Sequence, residues 1–276
     1  MSDRFTMQDP RNQYARPPFP RQPQPEPGLA ARMTPRPDHG EDSYEGHGRL
    51  KGRKALVTGG DSGIGRATAI AYAREGADVA IGYLPSEEAD AKEVIALIEK
   101  AGVKALALPG DIRDEDWNRA MVARVVETFG GLDILVVNAG HQQFRESVSE
   151  VSTADIDATM KTNLYGLHWL CQAAAPHLPP GAAIITTASI QAYEPSDILL
   201  DYATTKAGIV AYTKALAKQM IEKGVRVNAV APGPFWTVLQ PSGGQPQDKV
   251  EQFGAQSAFG RPRPPVEIAP VFAVLV

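Results

Sequence analysis

Residues 54–65 read KALVTGGDSGIG, an apolar run followed by a turn that contains four glycines. The run Lys54 to Thr58 predicts a buried strand, and residues 66–75 predict a helix directly after the turn. Glycines at such a turn permit positive φ and close backbone approach to a pyrophosphate, whose charge the helix N-terminus attracts. The spacing is T-G-x-x-x-G-x-G rather than G-x-G-x-x-G. The stretch therefore indicates a phosphate-binding turn, and an ordinary tight turn is the alternative.

The pattern of strand, turn and helix repeats from residue 49 onward. The predicted strands cover residues 54–58, 79–83, 103–108, 132–137, 183–187 and 225–230. The predicted helices cover residues 66–75, 86–100, 114–129, 153–177 and 201–223, with Ser86 and Asp114 as N-caps. Because the strands are almost continuously Val, Ile, Leu and Ala, we predict an α/β fold with a doubly wound, mostly parallel sheet.

The first 48 residues differ in composition from the rest of the chain. Nine prolines fall within residues 10–37, and Val and Ile are absent there. Such a segment buries little apolar surface, so we predict a disordered arm over residues 1–48. The alternative is an arm that wraps a neighbouring subunit, with Tyr14, Phe19 and Leu29 as anchors. The domain proper is expected to span residues 49–276.

The charge balance and the cysteine count exclude several classes of protein. The chain of 276 residues carries 28 Lys and Arg against 32 acids, a net charge of −4. This balance argues against a nucleic-acid partner or an anionic membrane surface. The single cysteine, Cys171, excludes an intrachain disulfide. With no long apolar run and no visible export signal, we expect a cytoplasmic protein.

Tyr202 and Lys206 lie four positions apart at the start of a predicted helix. Positions i and i+4 share one helix face, and a nearby ammonium favours the phenolate, so we expect a lowered pKa for Tyr202. This makes Tyr202 a candidate general acid or base, although exposed Tyr/Lys pairs are also common on helices. Ser189 ends the preceding strand, and Asn163 falls inside a predicted helix.

The unusual polar and glycine clusters all follow the carboxyl ends of predicted strands. These clusters are Gly59–Gly65, Asp111, Asn138-Ala139-Gly140, Ser189 and Pro232-Gly233-Pro234. Ligands of doubly wound sheets bind at that edge. The sequence therefore predicts one binding site there.

These motifs together resemble the short-chain dehydrogenase/reductase family. The resemblance rests on Thr58–Gly65, Val137-Asn138-Ala139-Gly140, Asn163, Ser189, Tyr202-x-x-x-Lys206 and Pro232-Gly233, in the family's order over residues 49–276. It implies a Rossmann-like fold. The proline-rich arm resembles that of a bacterial subgroup of mostly uncharacterised oxidoreductases, some of them regarded as NADP-dependent aldehyde reductases.

The resemblance implies the catalytic roles. Tyr202 would exchange the proton with the substrate oxygen, Lys206 would lower its pKa and bind the nicotinamide ribose, and Ser189 would polarise the substrate oxygen. Asn163 would hold a proton-relaying water.

The resemblance also implies a cofactor site without a metal. Its residues are Gly59, Asp61, Ser62, Gly63, Ile64, Gly65, Asp111, Ile112, Asn138, Ala139, Gly140, Tyr202, Lys206, Pro232, Gly233 and Thr237. Asp111 would meet the adenine amine with Ile112 beside the ring, and Thr237 would hold the carboxamide.

The expected function is hydride transfer between NAD(P) and a carbonyl or alcohol substrate of the aldehyde or ketone reductase type. NADP is slightly favoured over NAD, because the second strand ends without an acid until Glu87. The alternative is a catalytically silent cofactor-binding sensor or a truncated, inactive fragment. The resemblance further implies a homotetramer or homodimer, and a seventh strand that this chain lacks, so that the domain would be C-terminally incomplete.

Overall fold

A six-stranded parallel sheet forms the centre of the protein, whose computed structural model describes residues 6–276. The strands are β1 Lys54–Thr58, β2 Asp78–Tyr83, β3 Ala105–Pro109, β4 Ile134–Val137, β5 Ala183–Thr187 and β6 Arg226–Val230. Their order across the sheet is β3-β2-β1-β4-β5-β6, and every neighbouring pair is parallel. This order reverses between β1 and β4, as in a doubly wound Rossmann-like fold, and it confirms the predicted fold class.

Helices cover both faces of the sheet. They are α1 Gly63–Arg74, α2 Glu88–Lys100, α3 Glu115–Phe129, α4 Thr153–Met160, α5 Gly166–Ala174, α6 Leu200–Met220, α7 Gln247–Glu251 and α8 Ala269–Val274. An apolar core lies on each face of the sheet, and successive side chains of β1 point to opposite faces. Leu56 packs in the core on the α3 and α5 side, and Val57 packs in the core on the α1 and α2 side. The carboxyl ends of all six strands therefore meet at one rigid edge.

Two helix predictions differ from the structure. The predicted helix 153–177 is divided by a π-helical turn, Lys161–Tyr165, and ends at Ala174, two residues before Pro176, which has no N–H with which to continue the helix. Ser86 is not an N-cap but lies inside a 3₁₀ turn, Pro85–Glu87, that precedes α2. Asp114 does cap α3, since its side chain accepts hydrogen bonds from two backbone N–H groups.

The N-terminal segment packs against the chain's own domain, which corrects the prediction of a disordered arm. Phe19 is 5% exposed, and its ring stacks on Trp236 with centroids 4.2 Å apart. Met33 joins the same apolar cluster, and the indole N–H of Trp236 donates to the Pro35 carbonyl over 2.8 Å. A few well-placed side chains therefore fix an extended segment that composition alone predicts to be disordered. Residues 1–5 of the predicted arm lie outside the described part.

Charged contacts continue this packing toward residue 49. The phenol of Tyr44 donates to Glu75 over 2.8 Å. His39 is 1% exposed, and its Nδ1 lies 3.1 Å from a Glu41 carboxylate oxygen. Burial lowers the pKa of His39. Within residues 6–276, no three His, Cys, Asp or Glu side chains form a metal-binding group. No helix in the same range has the length and apolar character needed to cross a membrane.

Candidate active site

A cleft of about 520 Å³ runs along the carboxyl edge of the sheet. Every predicted site residue lines it except Gly65 and Asn163. The lining members of that set are Gly59, Asp61, Ser62, Gly63, Ile64, Asp111, Ile112, Asn138, Ala139, Gly140, Ser189, Tyr202, Lys206, Pro232, Gly233 and Thr237. The structure thus brings residues from five separate loops into one site.

The glycine turn after β1 is packed too tightly for side chains. Gly59 has φ +63°, and a Cβ built on it would lie 3.0 Å from the Ala139 Cα. A Cβ on Gly65 would lie 1.9 Å from the Gly59 carbonyl oxygen, so the first turn of α1 rests directly on the strand end. Gly65 therefore allows the turn to pack closely on the strand end, although it does not line the cleft itself. The N-terminal N–H groups of α1 are left facing the cleft, where they suit a phosphate.

Asn138 joins the ends of three strands. Its side-chain amide donates to the carbonyls of Thr58 and Gly59 over 3.2 and 3.3 Å, and its side-chain oxygen accepts from the Thr187 hydroxyl over 3.3 Å. These bonds fix the positions of β1, β4 and β5 relative to one another. They keep the glycine turn and the segment after β5 on opposite walls of the same cleft.

Ser189, Tyr202 and Lys206 come together on the floor of the cleft. The Lys206 ammonium lies 5.3 Å from the centroid of the Tyr202 ring and donates to the Thr187 carbonyl over 2.8 Å. The Ser189 hydroxyl lies near enough to the Tyr202 phenol to favour a lower pKa of that phenol. All three residues are buried, with Tyr202 7% and Lys206 4% exposed.

The expected lowering of the Tyr202 pKa is not found. Burial raises the pKa of Tyr202 to about 12, despite the nearby Ser189 hydroxyl, and burial lowers the pKa of Lys206 to about 8. The ammonium lies over the face of the ring rather than beside the hydroxyl, so its charge does not offset the loss of water. The phenol in this structure is consequently a proton donor across the neutral range.

Asn163 supports the cleft from outside rather than lining it. Its side-chain oxygen accepts from the His141 N–H over 2.8 Å, and its amide donates to the His141 carbonyl and the Thr205 hydroxyl, each over 2.9 Å. It lies in the π-helical turn, which places this polar side chain inward toward the loop after β4. The water-holding role implied by the resemblance stays a prediction, because the side chain is already engaged.

Two carboxyl groups from separate parts of the sequence come close together near the end of β2. Asp61 in the glycine turn and Glu87 after β2 both line the cleft. Burial raises the pKa of both carboxyls, and each is raised further by nearby negative charge. The argument for NADP assumes that nothing near the end of β2 repels a phosphate. The fold places the Asp61 and Glu87 carboxyls near that point, and the preference for NADP stays a prediction.

Asp111 and Arg113 form the opposite end of the cleft. Arg113 donates to the Asp111 carboxylate through Nε over 2.8 Å and through Nη2 over 2.6 Å. Ile112 lies beside them and is 7% exposed. The apolar Ile112 next to a carboxylate is the surrounding expected for an adenine ring.

The arm contributes residues to the site that the sequence did not indicate. Glu26 and Pro27 line the cleft, and one Glu26 oxygen lies 2.5 Å from Nδ1 of His141. The other Glu26 oxygen accepts from the Gln143 amide over 2.8 Å. Trp236 does not line the cleft, because it packs against Phe19 of the arm. No local sequence pattern predicts a role for Glu26 in the site, because its partners are more than a hundred residues away in the sequence.

The comparisons with known proteins agree with this geometry. The family model described as enoyl-(acyl carrier protein) reductase matches residues 59–276. An uncharacterized oxidoreductase, YghA of Escherichia coli (strain K12), is 56% identical over 269 residues, which cover 98% of this chain and 92% of that protein. The chloroplastic NADPH-dependent aldehyde reductase 1 of Arabidopsis thaliana is 37% identical over 255 residues, covering 91% of this chain and 88% of the relative.

Solved structures with nicotinamide cofactors show the same fold. A short-chain dehydrogenase from Burkholderia cenocepacia J2315 in complex with NADP has a TM-score of 0.72 and 37% identity, covering 82% of this chain and 90% of the other. The 3-ketoacyl-(acyl-carrier-protein) reductase from Brucella melitensis, complexed with NADH, has a TM-score of 0.73 and 30% identity, covering 82% and 91%. Together with the sheet order and the Ser189, Tyr202 and Lys206 arrangement, these matches lead to one conclusion: the chain belongs to the short-chain dehydrogenase/reductase family of oxidoreductases.

Proposed function

We propose that this protein is an NAD(P)-dependent reductase of aldehydes or ketones, with Tyr202 as the acid that protonates the substrate oxygen. The observation that carries the proposal is the buried Ser189, Tyr202 and Lys206 cluster in the same cleft as the glycine turn. A non-catalytic binding protein has no need of this cluster. The relatives named as oxidoreductases and as an aldehyde reductase support it.

The residues present fit a nicotinamide dinucleotide. The glycine turn lines the cleft at the N-terminus of α1, which suits a pyrophosphate, and Asp111 with Ile112 offers a place for adenine. A Cβ on Gly63 would lie 3.2 Å from Thr237, so Thr237 stands directly across the turn, where it suits the carboxamide. The rest of the cofactor site would be lined by Asn138, Ala139, Gly140, Pro232 and Gly233. When bound, the cofactor supplies the hydride.

The chain's own residues would handle the substrate oxygen and its proton. The Ser189 hydroxyl, which lies near the Tyr202 phenol, would donate to the carbonyl oxygen and hold it beside that phenol. As the carbonyl carbon gains the hydride, the Tyr202 O–H bond breaks and its proton passes to the oxygen, which leaves a phenolate. The Lys206 ammonium, above the ring, would stabilise that phenolate before solvent reprotonates it.

Asn163 would act as a positioning residue. It holds the His141 backbone, and a Cβ on the preceding Gly140 would lie 3.6 Å from both the Asn163 oxygen and the Lys206 ammonium. The loop after β4 is thereby fixed against the catalytic cluster.

The test is turnover by the purified protein with NADH or NADPH and a panel of aldehydes and ketones. The proposal predicts oxidation of the reduced cofactor that depends on the carbonyl compound. Tight cofactor binding without turnover on any member of the panel would favour the silent sensor instead.

We further propose a homo-oligomer located in the cytoplasm. Apolar side chains on and near α4 and α6 are unusually exposed, including Ile156 at 39%, Tyr165 at 52% and Leu200 at 51%. Exposed apolar surface of this kind suits a contact between subunits. Sedimentation of the purified chain as a dimer or tetramer supports the assembly, and a monomer at micromolar concentration contradicts it.

A further inference from the structure

Asp61 presents an unsatisfied oxygen in the cleft. Asp61 is 1% exposed and lines the cleft. Its Oδ2 atom has no hydrogen-bond partner in the described structure. A buried acceptor without a donor is costly, so the site is complete only when a ligand supplies a hydroxyl or N–H.

Glu87 stands next to Asp61 across the end of β2. One of its oxygens accepts from the Leu84 N–H over 2.9 Å, which fixes the side chain at the cleft wall. A third carboxyl, Asp90, reinforces the negative field but is itself occupied, since it accepts from the N–H groups of Ala30 and Ala31. The ligand group that meets Asp61 therefore enters a pocket that Asp61 and Glu87 line, and the raised pKa values leave these carboxyls partly protonated near neutral pH.

We propose that Asp61 and Glu87 bind a ribose hydroxyl of the dinucleotide and select NAD(H), with a free 2′-hydroxyl, over NADP(H), with a 2′-phosphate. A hydroxyl can donate to the unpaired Asp61 oxygen. A 2′-phosphate carries about −1.5 to −2 charges at neutral pH and would lie against two carboxyl groups rather than a cation that could offset its charge. In this family's usual arrangement an acid ends the second strand, whereas here Asp61 comes from the glycine turn and Glu87 from the 3₁₀ turn before α2.

The neighbouring cations are already engaged. Arg66 is 1% exposed, does not line the cleft, and pairs with Glu41 and Glu93. Among the described residues that line the cleft, Arg113 provides the one guanidinium, and Asp111 accepts two of its hydrogen bonds. Arg66 keeps Nη1 without a hydrogen-bond partner but does not line the cleft, and Arg113 cannot take up a phosphate without breaking its ion pair with Asp111.

This inference rests on the proposed cofactor site but not on turnover. The relatives are divided in their cofactors, with NADPH in the name of one, NADP in one solved complex and NADH in another. The choice is thus made by the residues of each chain.

The test is calorimetric binding of NADH, NADPH, AMP and 2′,5′-ADP to the full chain. We expect wild type to bind NADH at least tenfold more tightly than NADPH, and AMP more tightly than 2′,5′-ADP. Asp61→Asn and Glu87→Gln should each reduce these ratios several-fold. Glu99→Gln, the same change of charge on an exposed part of α2, should leave them unchanged.

The results separate this inference from the proposed function. Equal or tighter binding of NADPH and 2′,5′-ADP by wild type, or ratios that Asp61→Asn and Glu87→Gln both leave unchanged, would overturn the selectivity. If Asp61→Asn fails to fold by circular dichroism, Glu87→Gln alone decides. The expected ratios together with no turnover on any carbonyl compound would instead contradict the reductase activity and leave the selectivity standing.

Discussion

The ammonium of Lys206 lies over the ring of Tyr202, 5.3 Å from its centroid, one helical turn along α6. In that position the ammonium can stabilise a Tyr202 phenolate that forms during the reaction. It does not lower the pKa of the phenol enough to ionise it beforehand. The arrangement therefore favours the protonated phenol, which is the form that carbonyl reduction requires.

The two directions of the reaction should depend differently on pH. Since the pKa of Tyr202 is raised to about 12, the phenol remains protonated and reduction should be flat up to about pH 8. Above that pH, Lys206, whose pKa is lowered to about 8, loses its charge and reduction should decline. Alcohol oxidation needs the phenolate and should rise by up to about tenfold per pH unit. Profiles of kcat in both directions check this, and oxidation that falls with pH would contradict it.

Lys206→Ala should impair both catalysis and cofactor binding. Removing a buried ammonium that lines the cleft and donates to Thr187 removes charge-assisted bonds worth about 1.5–3 kcal/mol each. We expect a rise in cofactor Kd of roughly tenfold or more and a comparable loss in kcat. Lys214→Ala, at an exposed position of the same helix, is the control. An unchanged Kd by calorimetry would separate Lys206 from the cofactor.

Removal of the Phe19 ring should loosen the arm and the segment beneath it. The ring is buried on Trp236, and truncations of buried aromatic side chains cost about 3–5 kcal/mol at fully packed sites. Phe19→Ala should lower Tm, speed proteolysis within residues 20–40 and raise cofactor Kd, because Glu26 loses its position beside His141. Met7→Ala, at a fully exposed position of the arm, should change none of these. A variant as protease-resistant as wild type would show that the arm does not need this anchor.

The stability of the protein should fall as pH rises through neutrality. Burial raises the pKa of Asp61 from 3.8 to about 7 and that of Glu87 from 4.5 to about 8. Between the unfolded and folded values the folded state binds more protons, so this contribution is present at low pH and lost toward pH 8. For a chain of this size each kcal/mol lost lowers Tm by about 2–4 °C. Asp61→Asn should flatten the decline in thermal melts between pH 5 and 8, and an equally steep decline would count against the raised pKa.

The sequence predicted regular structure well where the signal is local. The bounds of β1 and β5 and the Asp114 cap agree with prediction, because each depends on a few adjacent residues. The cleft also follows from sequence, since parallel strands must bring their carboxyl ends to one edge. The helix from 153 to 177 was not predicted correctly, because the π-helical turn at Asn163 depends on the distant loop at His141.

The contacts that the sequence did not reveal join separate segments. Asp61 and Glu87 are 26 positions apart, and their pairing depends on how β1 and β2 lie side by side. The docking of Phe19 on Trp236 spans more than two hundred positions and is invisible to composition. In both cases a residue of ordinary appearance acquires its role from a partner that only the fold supplies.

Tyr202→Phe tests the central claim most directly, because it removes only the phenolic oxygen that lies near Ser189. The measurement is single-turnover oxidation of bound reduced cofactor by an aldehyde substrate, together with calorimetric cofactor Kd, and exposed Tyr193→Phe serves as the control. We predict a loss of rate of about 10²–10⁴-fold with a nearly unchanged Kd, since general acid catalysis contributes that much. A variant that keeps more than about a tenth of the wild-type rate would contradict Tyr202 as the proton donor.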